Sequence, residues 1–160
     1  MKRWFYRLRG ENDFFGLNIS NQEDLFIAFF ISCHSLKDWL IKDGVAEKKE
    51  VENFINAHHC LKLAGDIANF SKHAELTRAW TGDKNTKAVG QKYFVNPSNG
   101  SSYILSVLEV QSDGKVYRNP VDIVKECLNC WSKFVTSKSL SVPEMMEENI
   151  FLNFNKWEPK

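Results

Sequence analysis

The sequence predicts a mostly helical α+β domain, a helical bundle in which a small antiparallel β-meander precedes the last long helix. Apolar residues recur at helical spacing over about 20–75 and again over about 119–136. Between these stretches, β-branched and aromatic residues alternate with polar ones and are separated by turn-forming clusters. We expect one domain over 1–160, with a core over about 21–136, an N-terminal arm over 1–20 and a C-terminal tail over 137–160.

The first predicted helix is defined at both ends. Ser20 and Glu23 have the spacing of a capping box, with Ser20 as N-cap and Glu23 at N3. The helix continues to about Asp43, where Gly44 supplies the C-terminal stop. Its interior sequence LFIAFFISC is apolar on all sides, which predicts a buried central helix.

The remaining elements follow in order along the chain. A second helix is predicted to begin near Ala46, and a third to cover about 60–75, with an inner stripe formed by Leu61, Ala64, Ile67 and Ala68. Strands are predicted over about 89–95 and 103–111, with a turn cluster over 96–100. The turn Ser112-Asp113-Gly114 predicts a hairpin into 115–118. Asn119 and Pro120 predict the N-cap and first residue of a helix to about 136, and a last short helix is predicted over about 143–157.

Composition excludes several classes of protein. The net charge of +1 argues against a strongly basic nucleic-acid binder. The arm over 1–10 mixes basic and aromatic residues, which suits either an amphipathic element packed on the core or an accessory contact to nucleic acid. No segment approaches the ~18 apolar residues of a membrane span, and no signal-peptide pattern follows the basic start. We therefore expect a cytoplasmic protein that does not enter a membrane.

The four cysteines are predicted to pack in the core. Cys33 and Cys60 lie in apolar helical contexts, and Cys127 and Cys130 form a CxxC inside a predicted helix. A zinc site normally adds a second CxxC or a His pair, and a redox CxxC normally lies at a helix N-terminus after a strand. The chain also lacks GxGxxG, P-loop and GxSxG motifs, so we expect no cofactor.

A first polar cluster interrupts the apolar first helix. His34 and Asp38 lie one turn apart, on or beside the buried stripe, with Lys37 next to them. A buried carboxylate must be paired, because burying a lone charge is strongly unfavourable, and Lys37 or a neighbouring helix would supply the partner. We take His34, Lys37 and Asp38 as candidate binding residues; the alternative is a buried network that fixes helix register.

A second polar cluster lies in AGDIANFSKH, over 64–73. A helix places Asp66, Asn69 and His73 on one face. His73 suits general acid–base chemistry near neutral pH, Asp66 would orient it, and Asn69 would bind a phosphate or a carbonyl group. Lys72 lies off that face but has a long reach. These four are the candidate catalytic residues; the alternative is a solvated polar face.

A metal site is a further alternative for the two clusters. Two histidines with two carboxylates suit zinc or manganese. Such a site would need the first and third helices to bring together His34, Asp38, Asp66 and His73. The sequence alone does not provide that juxtaposition, and we expect no metal.

The motifs HSLKDW (34–39), AGDIANFSKH (64–73) and CLNCW (127–131) resemble those of a family of small, uncharacterised bacterial proteins. Members carry HLKDW, then a CADLANGSKH-like segment, a short strand region and a helix ending in Trp. The resemblance covers about residues 21–135. This chain departs from the family form at Gly65 and Phe70, and neither change removes a candidate polar group.

The segment Asn69-Phe70-Ser71-Lys72-His73 also resembles part of the RNxxxH motif of HEPN-like helical domains. The resemblance implies a helical domain acting on RNA, in bacterial toxins or defence systems, through a dimer and without metal. The motif is incomplete because Ala68 stands at the Arg position, and only Lys72 or Arg78 offers a nearby positive charge.

Two classes of function follow. The first is a non-catalytic interaction module, in which a buried His/Asp/Asn/Lys network stiffens a dimer or a partner surface. The second is an RNA-acting enzyme or defence component that uses His73 and Asn69. The partners to be considered are a second copy of the chain, RNA or another protein. Burial separates the two classes, because catalytic groups need an open cleft and a structural network is sealed and fully hydrogen-bonded.

Overall fold

The computed structural model describes residues 19–73, 76–95, 103–117 and 119–140. Within these ranges, four helices form a bundle and a three-stranded antiparallel sheet precedes the last helix. The predicted fold class is therefore confirmed. The elements are α1 (Ile19–Lys42), α2 (Lys48–Ala57), α3 (His59–His73), β1 (Lys87–Val95), β2 (Tyr103–Ser112), β3 (Lys115–Tyr117) and α4 (Pro120–Ser137).

Two of the three predicted helix caps agree with the structure. Gly44 adopts a left-handed conformation (φ +68°) just after α1, and its N–H donates to the carbonyl of Ile41. At the start of α4, the Asn119 side chain accepts a hydrogen bond from the N–H of Val121 at 3.2 Å. The prediction for Ser20 is wrong, because α1 already includes the preceding residue and Ser20 lies inside the helix.

The sheet has the predicted meander order, with β2 between β1 and β3. β1 pairs with β2 in the register Val89↔Glu109. The β2–β3 turn consists of Asp113 (φ 51°) and Gly114 (φ 70°), the pair of positive φ angles that a type I′ hairpin turn requires. Val110 of β2 is fully buried and joins the sheet to the helical core.

The core lies between α1, α3 and α4 and is closed by α2 and one face of the sheet. The predicted inner stripe of α3 is confirmed, since all four of its residues are buried. The apolar interior of α1 lies in the core as predicted, but its burial is uneven. Phe29 and Phe30 are fully buried, whereas Ile27 and Ile31 are half-buried. The helix therefore has a buried face and a partly open face.

Several predictions concern other parts of the chain. Of the N-terminal arm predicted over 1–20, residues 1–18 lie outside the described residues, and residues 19 and 20 belong to α1. The turn over 96–100 and the tail helix over 143–157 also lie outside the described residues. Among the helices that the structure does describe, none is long and apolar enough to cross a bilayer.

Candidate functional site

Asp66 lies on α3 and is completely buried. Its Oδ1 accepts a hydrogen bond from the backbone N–H of Trp80 at 2.6 Å. Its Oδ2 accepts two more, from the backbone N–H of Thr81 at 2.9 Å and from the Thr81 hydroxyl at 2.6 Å. The carboxylate therefore holds the irregular segment 76–86 against α3. It does not orient His73, so the expected Asp66–His73 pair is not formed.

A chain of hydroxyl groups continues from this carboxylate to the sheet. The Thr81 hydroxyl lies 3.1 Å from that of Thr86, which lies 2.6 Å from that of Ser112. Each hydroxyl carries one proton, and Thr81 donates its own to Asp66. Thr86 must then donate to Thr81, and Ser112 to Thr86. Thr86 and Ser112 are buried, so this relay satisfies polar groups that have no access to water.

Asp83 fastens the same segment to the β2–β3 hairpin. Its carboxylate accepts a hydrogen bond from the backbone N–H of Asn85 at 2.8 Å and another from that of Asp113 at 2.7 Å. These two backbone donors lower the pKa of the Asp83 carboxyl. Asp66 therefore attaches the segment to α3, and Asp83 attaches it to the β2–β3 hairpin.

His34 is buried on α1 against the same segment. Its imidazole contacts the Trp80 ring edge to face, with centroids 5.6 Å apart, and its Nδ1 has no hydrogen-bond partner among the described residues. Burial, with a further contribution from Lys37, lowers the pKa of His34 to about 4. The ring is therefore neutral at physiological pH and serves as a packing group.

Gly65 is what allows His34 and Trp80 to approach α3. A Cβ atom at this position would lie 2.9 Å from Nδ1 of His34 and 3.0 Å from Cδ1 of Trp80. Lys37 also contacts the indole, with its Nζ over the ring at 5.2 Å from the centroid. Trp80 is thus fixed by a histidine, a lysine and the backbone bond to Asp66.

An open cleft of about 760 Å³ lies where α2, α3 and the segment after α3 meet. We call it the α2–α3 cleft. Asn69 and His73 of α3 line it, and Arg78 and Trp80 line it from the following segment. The α2 side contributes a basic, an acidic and an amide side chain, namely Lys48, Glu52 and Asn56.

Among the residues described, some charged side chains of the α2–α3 cleft form an ion pair and others do not. Lys48 lies 3.9 Å from Glu52, one turn apart on α2. Within the described ranges, no acidic side chain forms an ion pair with Arg78, which is exposed. His73 is also exposed, and Asn69 is half-buried. The surface therefore offers a guanidinium, an imidazole and two amides to a ligand.

Lys37 and Asp38, two of the predicted binding residues, line a smaller neighbouring depression of about 360 Å³. It shares Lys48 and Glu52 with the α2–α3 cleft. Asp38 is exposed, so the buried, paired carboxylate expected at this position is not found. The buried face of α1 passes through Phe29, Cys33 and Leu40, and Asp38 lies on nearly the opposite side of the helix.

The residues of the two predicted clusters therefore do not form one site. Asp66 and His34 are sealed in the interior, and Asn69 and His73 line the α2–α3 cleft. Lys72 is exposed but does not line this cleft. In the part of the chain that the structure describes, no three His, Cys, Asp or Glu side chains are arranged to hold a metal ion. The alternative of a shared metal site is therefore not supported.

The sequence patterns missed much of the α2–α3 cleft. Trp80 lies in an irregular segment that has no periodic signal, and Asn56 reads as an ordinary polar position of an amphipathic helix. Arg78 was predicted only as a substitute for a missing charge. Arg78 lies five residues after His73, and this spacing does not indicate that both side chains line one cleft.

Comparisons of the chain with family models, with curated proteins and with solved structures found no match in any of the three. The resemblances to the uncharacterised bacterial family and to HEPN-like domains remain predictions. The function must therefore be argued from the site itself.

Proposed function

We propose that the protein is a non-catalytic binding module whose contact surface is the α2–α3 cleft. The ligand of this cleft is a phosphate-bearing chain such as single-stranded RNA. The observation that carries the proposal is the separation of Asp66 from His73. The carboxylate that shares a helical face with the candidate base is fully engaged with Trp80 and Thr81, while the groups left in the cleft suit recognition.

Among the described residues, His73 has no partner that would make it half of a catalytic pair, and this supports binding rather than reaction. A general base is usually held in position by a hydrogen bond to a third group. In the ranges that the structure describes, no side chain hydrogen-bonds the imidazole of His73, and Asp66 cannot do so without giving up three donors. His34 is buried away from the cleft, so it supplies no second base there.

The chemistry of the cleft indicates the class of ligand. Arg78 presents a planar guanidinium with five N–H donors, which suits phosphate oxygens. Asn56 and Asn69 offer amide donors and acceptors that suit base edges or ribose hydroxyls. Trp80 adds a half-buried aromatic ring at the wall of the cleft, on which a base can stack.

The rigidity of the wall supports the same proposal. The segment that carries Arg78 and Trp80 is tied to α3 by Asp66 and to the hairpin by Asp83. A preorganised wall loses less conformational entropy when a ligand binds. The buried network thus has a role in recognition even though it does not touch the ligand.

The test is a titration of fluorescein-labelled single-stranded RNA followed by anisotropy. We expect wild-type protein to bind and Arg78→Ala to bind about tenfold more weakly, the loss of one charge-assisted hydrogen bond. Lys133→Ala is the matched control, because it removes a positive charge from an exposed position of α4 outside the cleft. Equal binding by wild type and Arg78→Ala would contradict the proposal.

A second candidate function is RNA cleavage, and one observation favours it. Arg78 lines the same cleft as Asn69 and His73, although the motif position of the missing Arg is Ala68, which is fully buried. The three side chains together would supply the charge and the base of an RNase without metal. The titrated samples distinguish the two candidates on a denaturing gel. Intact RNA supports the binding module, and cleavage that is lost in His73→Ala supports the enzyme.

A further inference from the structure

All four cysteines of the chain gather where α1, α3 and α4 meet. Cys60 Sγ lies 3.7 Å from Cys130 Sγ, and the Cys127 thiol donates a hydrogen bond to the backbone carbonyl of Cys60 at 3.4 Å. Cys33 of α1 contributes to raising the pKa of the Cys127 thiol. Each of the four is a free thiol. The cluster takes no part in the α2–α3 cleft.

We propose that Cys60 and Cys130 form an oxidation site, at which a hydroperoxide converts the two thiols into a disulfide between α3 and α4. The two sulfur atoms are already in contact across the two helices. A bond of about 2.05 Å needs the sulfurs to approach by less than 2 Å, which side-chain rotation at two helical positions supplies.

The position of Cys60 favours it as the attacking sulfur. It is the second residue of α3, where the helix dipole and the backbone N–H of Leu61 stabilise a thiolate. The Cys127 thiol, followed by the Cys130 thiol, lowers the pKa of Cys60 to about 7. Cys60 is therefore the sulfur of the cluster that ionises most readily near neutral pH.

Cys130 is suited to the second step. It is half-buried, whereas Cys33, Cys60 and Cys127 are buried, so the oxidant approaches the pair from the Cys130 side. Burial and the Cys60 thiolate raise the pKa of Cys130 to about 12. The contribution of the thiolate disappears once Cys60 becomes a neutral sulfenic acid, and Cys130 then ionises more easily.

The reaction balances as follows. The Cys60 thiolate attacks one oxygen of hydrogen peroxide, which gives Cys60 sulfenic acid and one water after protonation. The Cys130 sulfur then attacks the sulfenic sulfur, its proton leaves with the hydroxyl group, and a second water is released. Two thiols and one peroxide give one disulfide and two waters.

The test is mass spectrometry of folded protein that has been treated with hydrogen peroxide, alkylated and digested with trypsin. Cleavage after lysine places Cys60 in peptide 50–62, and both Cys127 and Cys130 in peptide 126–133. We expect these two peptides to be joined. The junction is assigned with Cys127→Ala and Cys130→Ala, a matched pair one turn apart on α4. We expect the cross-link to persist in Cys127→Ala and to be lost in Cys130→Ala.

Other outcomes would overturn the proposal. They are a cross-link that is lost only in Cys127→Ala, a disulfide within peptide 126–133, or complete alkylation of Cys60 and Cys130 after peroxide treatment. Circular dichroism checks that both variants remain folded. If one does not, fragmentation of the joined wild-type peptides between Leu128 and Asn129 decides whether Cys127 or Cys130 carries the cross-link. A rise in melting temperature of the oxidised wild type, reversed by dithiothreitol, is the accompanying expected result.

Discussion

Thr81 donates two hydrogen bonds to one oxygen of Asp66, from its backbone N–H at 2.9 Å and from its hydroxyl at 2.6 Å. This contact connects residues 15 apart in sequence and fixes the segment that forms one wall of the α2–α3 cleft. The side chain that the sequence offered as a catalytic partner of His73 is thereby a structural group. Substitutions of Asp66 should therefore lower the free energy of unfolding by a large amount.

Asp66→Ala should destabilise the fold by about 3 kcal/mol or more, because it leaves the N–H groups of Trp80 and Thr81 without their acceptor. Asp66→Asn should destabilise the fold less than Asp66→Ala does, since the amide oxygen of Asn still accepts a hydrogen bond. Urea unfolding measures both. Asp43→Ala, at an exposed acidic position, is the control and should stay within about 0.5 kcal/mol of wild type. Comparable values for the Asp66 and Asp43 variants would refute the structural assignment.

Gly65→Ala sets two opposing effects against each other. Alanine favours a helix by about 1 kcal/mol over glycine, but its Cβ would lie 2.9 Å from the buried His34 ring. Overpacking in a closed core costs about 1–3 kcal/mol, so we expect net destabilisation. A double-mutant cycle with His34→Ala measures the contact. The cost of Gly65→Ala should fall in that background, and an unchanged cost would rule out a clash with His34 as its cause.

His34 should make stability depend on pH. Burial first, then Lys37 and Lys72, lower its pKa to about 4 in the folded state, against an opposing contribution from Asp38. The unfolded chain, with a pKa of about 6.5, therefore binds more protons between pH 6.5 and pH 4. The contribution is fully present above about pH 6.5 and is lost as the pH falls through this range, by about 2 kcal/mol at pH 5.

Urea unfolding at pH 7 and pH 5 checks this prediction, with His34→Leu as the comparison. The variant removes the titrating group but keeps an apolar side chain of similar size. We expect the stability of wild type to fall more steeply toward pH 5 than that of His34→Leu. Parallel pH profiles would mean that His34 becomes protonated without cost, contrary to its burial.

Thr86→Val tests the hydroxyl relay between Thr81 and Ser112. Valine preserves the branched shape but removes the hydroxyl that joins the two neighbours. We expect a loss of about 1–2 kcal/mol, because the Ser112 hydroxyl is left buried without its acceptor. Thr136→Val, at an exposed position of α4, is the matched control. Equal stabilities for the two variants in thermal or urea unfolding would count against the relay.

Local patterns predicted most of the fold. The periodicity of α3 correctly predicted its inner stripe, and the Asp113-Gly114 pair correctly predicted the hairpin. Both predictions succeeded because they depend on residues that are close in sequence. The predicted start of α1 was wrong by a residue or more. A capping-box pattern at Ser20 carries no information on whether the preceding residues also adopt helical angles.

The site was predicted less completely because its contacts are not local. Asp66 reaches Trp80 and Thr81, 14 and 15 residues away, in a segment without regular structure. A helical face that contains Asp66, Asn69 and His73 shows which side chains share a side of α3. It does not show that the segment after α3 covers the first of them and leaves the other two open.

The most direct test of the central claim is to locate the bound RNA by nuclear magnetic resonance. Titration of unlabelled single-stranded RNA into ¹⁵N-labelled protein should shift the side-chain amide signals of Asn56 and Asn69 and the backbone signal of Arg78. The backbone signal of Thr86, held in the buried relay, should stay in place. Shifts confined to α4, or no shifts at RNA concentrations that saturate anisotropy, would contradict binding in the α2–α3 cleft.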